Sequence, residues 1–145
     1  MPPSPSKQEV THAYRHLLRA GLHAVQYSKP ARYVIRDRLR YAFRHHPPGH
    51  FNAARVNRTL EFLEGAAGSK GLEHRVVKAL VHVWWERGKG MGMWSPTTER
   101  LEWKKRAYRE FDRTVWMLEE SMGVGLGGSA WEPKKSSHAL EAMRV

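Results

Sequence analysis

The chain contains no cysteine, and this absence excludes several classes of function. Without a thiol the protein can form no disulfide, no thiolate zinc site and no cysteine nucleophile, and it cannot ligate an iron–sulfur cluster through cysteine. Long hydrophobic runs are missing as well. The apolar stretch at residues 79–83 contains His82, whereas a membrane-spanning helix needs about 20 apolar residues. We therefore expect no transmembrane segment.

The first residues also lack the features of a targeting segment. Residues 1–6, Met-Pro-Pro-Ser-Pro-Ser, have no apolar core of the kind found in a secretory signal peptide, and no Arg- and Ser-rich amphipathic leader follows them. We expect these six residues to form a flexible tail. Import into an organelle would then depend on signals within the folded part of the chain.

Motifs that carry catalysis are absent too. The sequence has no G-x-S-x-G elbow, no P-loop and no G-x-G-x-x-G after a strand. Gly88, Gly90 and Gly92 lie between two predicted helices, which favours a hinge over a phosphate-binding loop. His12 and His16 have the i, i+4 spacing that can place two imidazoles on one ion, but no third ligand lies at a matching offset, and zinc sites use three or four protein ligands. We expect neither a metal site nor enzymatic activity.

What the chain does contain is positive charge. Its 145 residues include 25 Lys and Arg against 14 Asp and Glu, a net charge of +11. Residues 1–60 hold nine Arg and two Lys but only Glu9 and Asp37, whereas residues 61–98 and 99–145 are each close to neutral. An acidic partner, whether nucleic acid, an acidic protein or an anionic membrane surface, is therefore expected to meet the first 60 residues.

Apolar residues recur with the period of an α-helix in five segments, without alternating strand patterns or internal repeats. The fold class is therefore predicted to be all-α. The predicted helices cover about residues 7–27; a segment capped by Ser28 and ended by Pro47-Pro48-Gly49; a segment capped by Asn52 and ending in a turn at 65–71; residues 72–87; and a segment from Thr97 or Thr98 to Met122.

The second predicted helix carries an i, i+4 series of arginines, Arg32, Arg36, Arg40 and Arg44. We refer to these four residues as the arginine ladder. Like charges at this spacing repel one another by tenths of a kcal/mol per pair. The ladder is either a solvated helix face or a docking surface for acidic groups, which guanidinium groups bind in a bidentate manner.

Six tryptophans are many for a domain of this size. Trp84 and Trp103 are predicted to pack in the core or between helices. The others exceed what one small core accommodates, so some of them either belong to a protein interface, where Trp is enriched, or are scattered and half-buried.

Residues 13–19, Ala-Tyr-Arg-His-Leu-Leu-Arg, resemble the L-Y-R-x-L-L-R signature of the mitochondrial LYR-motif family. Residues 33–44, Y-V-I-R-D-R-L-R-Y-A-F-R, are similar to the second-helix pattern of that family, which ends in R-x-x-F-R. Residues 57–65, N-R-T-L-E-F-L-E-G, extend the similarity into a third helix. The resemblance covers about residues 8–66 and departs at Ala13, where the family usually has Leu.

The resemblance implies a three-helix antiparallel LYR-type bundle for residues 7–70. Additional helices would follow in residues 71–122 as a C-terminal extension, because small members of the family have no counterpart after Gly71. The Gly-rich residues 123–145 would form a flexible tail.

The resemblance also implies an adaptor that binds the mitochondrial acyl carrier protein. Its cofactor would be the acyl-4′-phosphopantetheine supplied by that partner. Arg15, Arg36, Arg40 and Arg44 would face the acidic helix of the carrier. The acyl chain would enter a tunnel lined by Tyr14, Leu18, Leu22, Ile35, Leu39, Phe43, Leu60 and Leu63. From the residues alone, the same apolar side chains also fit a closed, dry core.

Similarity within the family is greatest to a small member found on maturing mitochondrial large ribosomal subunits and to LYR-like proteins of fungi. It implies a matrix protein that, with acyl carrier protein and a ribosome-silencing-type factor, prevents premature joining of the subunits. Two alternatives remain. The client could be a respiratory complex or the cysteine desulfurase of iron–sulfur synthesis, or the protein could be a constitutive mitoribosomal component whose arginine ladder binds RNA phosphates.

Overall fold

The computed structural model describes residues 5–45, 51–88 and 98–125, and the all-α prediction is confirmed: these residues form five helices and no strand. The helices are α1 (Lys7–Ala24), α2 (Ala31–His45), α3 (Ala53–Gly68), α4 (Leu72–Gly88) and α5 (Thr98–Met122). The predictions for Pro47-Pro48-Gly49, Trp94, Trp131, most of the glycine hinge and residues 126–145 lie outside the described residues.

The start of α1 follows from a capping box. The Ser6 hydroxyl accepts a hydrogen bond from the Glu9 amide, and the Glu9 carboxylate accepts one from the Ser6 amide. At its other end the helix stops at Ala24, earlier than predicted. Gln26 and Tyr27 have φ angles of 53° and 54°, and this left-handed backbone cannot continue a right-handed helix.

The predicted N-caps of α3 and α2 have different outcomes in the structure. The Asn52 prediction is confirmed, because its side-chain oxygen accepts a hydrogen bond from the Arg55 amide at 3.2 Å. The Ser28 prediction is wrong. Its hydroxyl donates to the Val25 carbonyl at 2.7 Å, so this side chain serves the end of α1 instead of the start of α2.

The last described residues are packed against α3. Gly123 adopts a φ of 64°, and the Val124 amide donates to the Glu119 carbonyl, which is the hydrogen bond of a Schellman cap. Val124 is buried, and the Gly125 amide donates to Thr59 Oγ1 at 2.8 Å. The chain is thus held to the bundle for three residues after α5, within the segment that the sequence assigns to the tail.

The first four helices close a ring. α1 packs against α2 and α3, and α4 packs against the same two helices from the opposite side. Contacts between Tyr14 and Phe43 and between Gly21 and Ile35 show that α1 and α2 run antiparallel. The residues that α4 contributes to the core are Val77, Leu80, Val81 and Trp84. It is therefore a fourth wall of the bundle and not an appendage to three helices.

α5 lies across α3 and α4. Its middle, at Tyr108 and Asp112, contacts Arg87 at the end of α4, and its last turn contacts Arg55 at the start of α3. Val115 and Val124 enter the same core as the four-helix ring. The chain after α4 therefore completes the bundle.

A close approach between α1 and α2 depends on Gly21. A Cβ atom at this position would lie 2.8 Å from Cγ2 of Ile35, a methyl on a β-branched side chain with little freedom to move. Only a residue without a side chain allows this contact.

We expect Gly21→Ala to lower the free energy of unfolding by about 1 kcal/mol. Alanine favours a helix by about 1 kcal/mol over glycine, but overpacking a core costs about 1–3 kcal/mol. The matched control is Gly65→Ala in α3, where the nearest atom lies 3.7 Å from the added methyl and stability should rise. Denaturant unfolding measures both changes, and equal stabilisation of the two variants would contradict the close contact.

Candidate functional site

An apolar cavity of about 70 Å³ lies inside the ring formed by α1–α4. Each of the four helices contributes to its wall. Its lining consists of Leu17, Gly21, Ile35, Arg38, Leu39, Ala42, Thr59, Leu63, Val77, Leu80, Trp84 and Gly125. The cavity therefore offers space for a nonpolar group at the centre of the bundle.

Thr59 does not make this cavity polar. Its hydroxyl donates to the Arg55 carbonyl at 2.7 Å and accepts from the Gly125 amide at 2.8 Å. Both hydrogen bonds tie the side chain to backbone groups. The chemistry of the lining consequently fits an alkyl chain.

The structure places three of the eight predicted tunnel residues on the cavity wall: Ile35, Leu39 and Leu63. The remaining five do not line it. Phe43 and Leu60 are partly buried and pack against the core, and Tyr14 meets Phe43 edge to face with ring centroids 5.3 Å apart. Leu18 and Leu22 are half-buried on α1.

The orientation of α1 explains why the predicted and observed linings differ. The buried residues of this helix are Ala13, Leu17, Gly21 and Ala24. Ala13, Leu17 and Gly21 each lie one position before a predicted tunnel residue, namely Tyr14, Leu18 and Leu22. One position along a helix is a rotation of about 100°, so the buried face of α1 is rotated by this angle from the predicted one. Because three of the four buried residues are small, α1 approaches its neighbours on this side, and the larger apolar side chains lie at the margins.

The residues predicted to bind the carrier protein differ in their surroundings. Arg15, Arg40 and Arg44 are exposed, and among the described residues none of them forms an ion pair or a side-chain hydrogen bond. Arg36 is half-buried and donates from Nε to Asp37 at 3.0 Å. Within the described residues, Arg36 is thus the member of the arginine ladder that is compensated by a local carboxylate.

The contact between the Tyr14 and Phe43 rings brings Arg15 and Arg44, which follow them in sequence, to the same level of the bundle. Arg40 lies one turn away from Arg44 along α2. We call these three exposed arginines of α1 and α2 the α1–α2 basic surface.

Arg38 is the site residue that the sequence analysis missed. It lies on the wall of the cavity and also on an open groove of about 540 Å³ between α2 and α4, and its guanidinium carbon is 4.4 Å from the centre of the Trp84 ring. Burial, and then the neighbouring Arg87, lower the pKa of Arg38 to about 10. The signal in the sequence was its position, three residues after Ile35, on the cavity side of α2.

A carboxylate from α5 compensates this pair of arginines. Arg87 Nη1 lies 2.8 Å from Asp112 Oδ1, and its Nη2 donates to the Tyr108 carbonyl at 3.0 Å. The Arg87 guanidinium also lies over the Tyr108 ring at 4.3 Å. Asp112 raises the pKa of Arg38 and so opposes the effect of Arg87. The ion pair therefore holds α5 on the bundle beside the cavity.

The part of the chain that the structure describes holds neither a cluster of metal ligands nor a membrane-spanning helix. There, no three histidine, aspartate or glutamate side chains gather closely enough to hold a metal ion. None of the described helices combines the length and the apolar character needed to cross a membrane.

The chain is 39% identical over 79 residues to the UPF0593 mitochondrial protein C806.05 of Schizosaccharomyces pombe. The similarity covers 53% of this chain and 63% of that protein, so it extends over less than two thirds of the relative. No family model matches the chain. No solved structure matches it either.

We expect Asp112→Asn to lower the free energy of unfolding by about 2 kcal/mol, because it leaves Arg87 without its counter-charge at a site where the Arg87 side chain is only 8% exposed. Asp112 itself is 40% exposed, which makes the loss smaller than for a fully buried pair. The control is Asp37→Asn, which removes a 3.0 Å ion pair whose carboxylate is 63% exposed and should cost less than about 0.5 kcal/mol. Similar losses of stability for the two variants in thermal unfolding would contradict the larger contribution of the Arg87–Asp112 ion pair.

Proposed function

We propose that this protein is a non-catalytic LYR-type adaptor that binds acylated mitochondrial acyl carrier protein and assists assembly of the large mitoribosomal subunit. The observation that carries the proposal is an apolar cavity lined by four helices in a bundle that also carries the α1–α2 basic surface. The S. pombe relative is named a mitochondrial protein, which supports a mitochondrial location. We place the protein in the matrix, where acyl carrier protein would be its partner.

The α1–α2 basic surface supplies the contact with the acidic carrier. Arg15, Arg40 and Arg44 are exposed and have no carboxylate partner among the described residues, so their charges are available to an acidic helix. Arginine suits this role because its guanidinium group binds a carboxylate through two parallel hydrogen bonds. Arg36 would contribute only after releasing Asp37.

The cavity supplies the contact with the acyl chain of the carrier. Its lining suits an alkyl chain, but its volume of about 70 Å³ is roughly half that of an apolar cavity known to admit benzene. Entry of a long chain therefore requires the helices to separate. Burial gains about 0.8 kcal/mol per methylene, so a chain of a dozen carbons can offset the cost of opening the bundle.

The role in ribosome assembly rests on family likeness alone. In that role the adaptor and its carrier would act with a ribosome-silencing-type factor as a steric block on the large subunit. A respiratory complex or the cysteine desulfurase as client would use the same cavity and the same basic surface. The identity of the client is therefore decided by what accompanies the adaptor and carrier in cells.

Native purification followed by intact-mass analysis tests the proposal directly. We expect a small acidic protein with a mass increase equal to phosphopantetheine plus an acyl group, together with large-subunit ribosomal proteins. Recovery of the carrier only with a respiratory complex or the desulfurase would contradict the ribosomal role and support the adaptor role. RNA in the absence of any carrier would overturn the adaptor itself.

We expect Leu39→Trp to reduce recovery of the acylated carrier at least tenfold, because the indole would occupy the cavity that the chain needs. The control is Leu72→Trp, the same change at an exposed position of α4, which should leave recovery unchanged. Circular dichroism checks that both variants are folded. Normal carrier binding by a folded Leu39→Trp protein would show that the chain does not use this cavity.

A further inference from the structure

The outer face of α5 is rich in positive charge. Between positions 103 and 116 the helix carries five exposed basic residues: Arg106, Arg109 and Arg113 on its outer side, Lys105 at the edge of that side, and Lys104 in line with Val115. The acidic residues of this stretch are Glu110 and Asp112, and Asp112 is bound to Arg87. None of the three arginines forms an ion pair within the described segments. This part of α5 therefore presents a cationic surface to solvent.

The arginines share one side of the helix. Positions 106, 109 and 113 fall within an arc of about 60°, since each residue advances the helix by about 100°. This arc lies opposite the side that carries Phe111, Val115 and Leu118 into the core. The α5 arginines thus form a group separate from the α1–α2 basic surface.

Two exposed tryptophans flank this group of arginines. Trp103 is 64% exposed, so the prediction that it packs in the core or between helices is wrong, and Trp116 is 53% exposed. Their separation of 13 positions corresponds to about 20 Å along the helix axis. The Arg106 guanidinium lies 6.0 Å from the centre of the Trp103 ring. Tryptophan and arginine are both enriched in the residues that contribute most to binding interfaces.

We propose that the outer face of α5 binds single-stranded RNA. Guanidinium groups neutralise phosphates, and indole rings stack on unpaired bases of any sequence. Three cations between two indole rings about 20 Å apart match a strand of a few nucleotides, whose phosphates would contact the arginines and whose bases would stack on the tryptophans at either end. RNA binding by α5 goes beyond the adaptor role and would stand even if no acyl carrier protein bound.

The arrangement of side chains favours RNA over a membrane surface. A helix that lies in a bilayer needs an uninterrupted apolar face. Here Arg106, Glu110 and Arg113 lie between Trp103 and Met117 on the outer side of α5, so charges would enter the lipid with the indoles. Charged residues between the apolar side chains are compatible with RNA, because RNA is itself a charged strand with exposed bases.

The test uses fluorescence anisotropy of a labelled 12-nucleotide single-stranded RNA with the full chain. We expect the triple variant R106E/R109E/R113E to bind at least tenfold more weakly at 150 mM salt. The slope of log affinity against log salt should fall by about 2, since each phosphate contact on a single strand contributes about 0.7. The variant should still bind acylated carrier protein, which separates this surface from the adaptor function.

Two control variants exclude a general effect of charge. K70E/R75E/K78E makes the same change in net charge at exposed positions before and within α4, and it should weaken RNA binding much less. R40E/R44E alters the α1–α2 basic surface. If R40E/R44E abolishes RNA binding and the α5 triple variant does not, the α5 proposal is overturned and the RNA surface lies on α2.

The tryptophans provide an independent readout. We expect W103L/W116L to weaken RNA binding at least tenfold without changing the salt slope, because stacking is lost while phosphate contacts remain. Both side chains are exposed, so the fold should be unaffected. Binding of anionic phospholipid vesicles or of carrier protein through α5, with no RNA affinity, would overturn the proposal in favour of those partners.

Discussion

The close approach of α1 to α2 at Gly21 is the constraint on which the bundle depends. Ile35 occupies the space that a side chain at Gly21 would need. This contact fixes which side of each helix faces inward. In α1 it turns Ala13 and Leu17 to the core, and in α2 it turns Arg40 and Arg44 outward. The cavity and the α1–α2 basic surface are thus two consequences of one packing contact.

α4 and α5 turn this helix pair into a closed bundle. α4 covers the side of α2 and α3 that an isolated three-helix arrangement would leave open, and it brings Trp84 to the cavity wall. Its last turn also introduces Arg87 near Arg38, so two positive charges lie close together at a partly buried site. Asp112 from α5 balances them. The extension is therefore coupled electrostatically to the proposed acyl site.

The proposed functions divide the surface of the bundle between partners. The α1–α2 basic surface would meet an acidic carrier protein, and the outer face of α5 would meet RNA. The two groups of arginines lie on different helices, and α5 directs its apolar side into the core between them. One small chain can then hold the carrier against an RNA-containing client without either partner displacing the other.

The sequence by itself determined the number of helices in the described residues and several of their ends, because helical periodicity, Asn52 as a cap, and the glycines after Met122 are local signals. It also indicated the exposed Arg40 and Arg44. It did not determine the end of α1 at Ala24 or the role of Ser28. Only the tertiary structure decided which apolar residues line the cavity, since the rotation of α1 follows from small residues packing against neighbours distant in sequence. Arg38 shows the same limit: its spacing from Ile35 indicates the cavity side of α2, but its contact with Trp84 and the effect of Arg87 on its pKa come from α4.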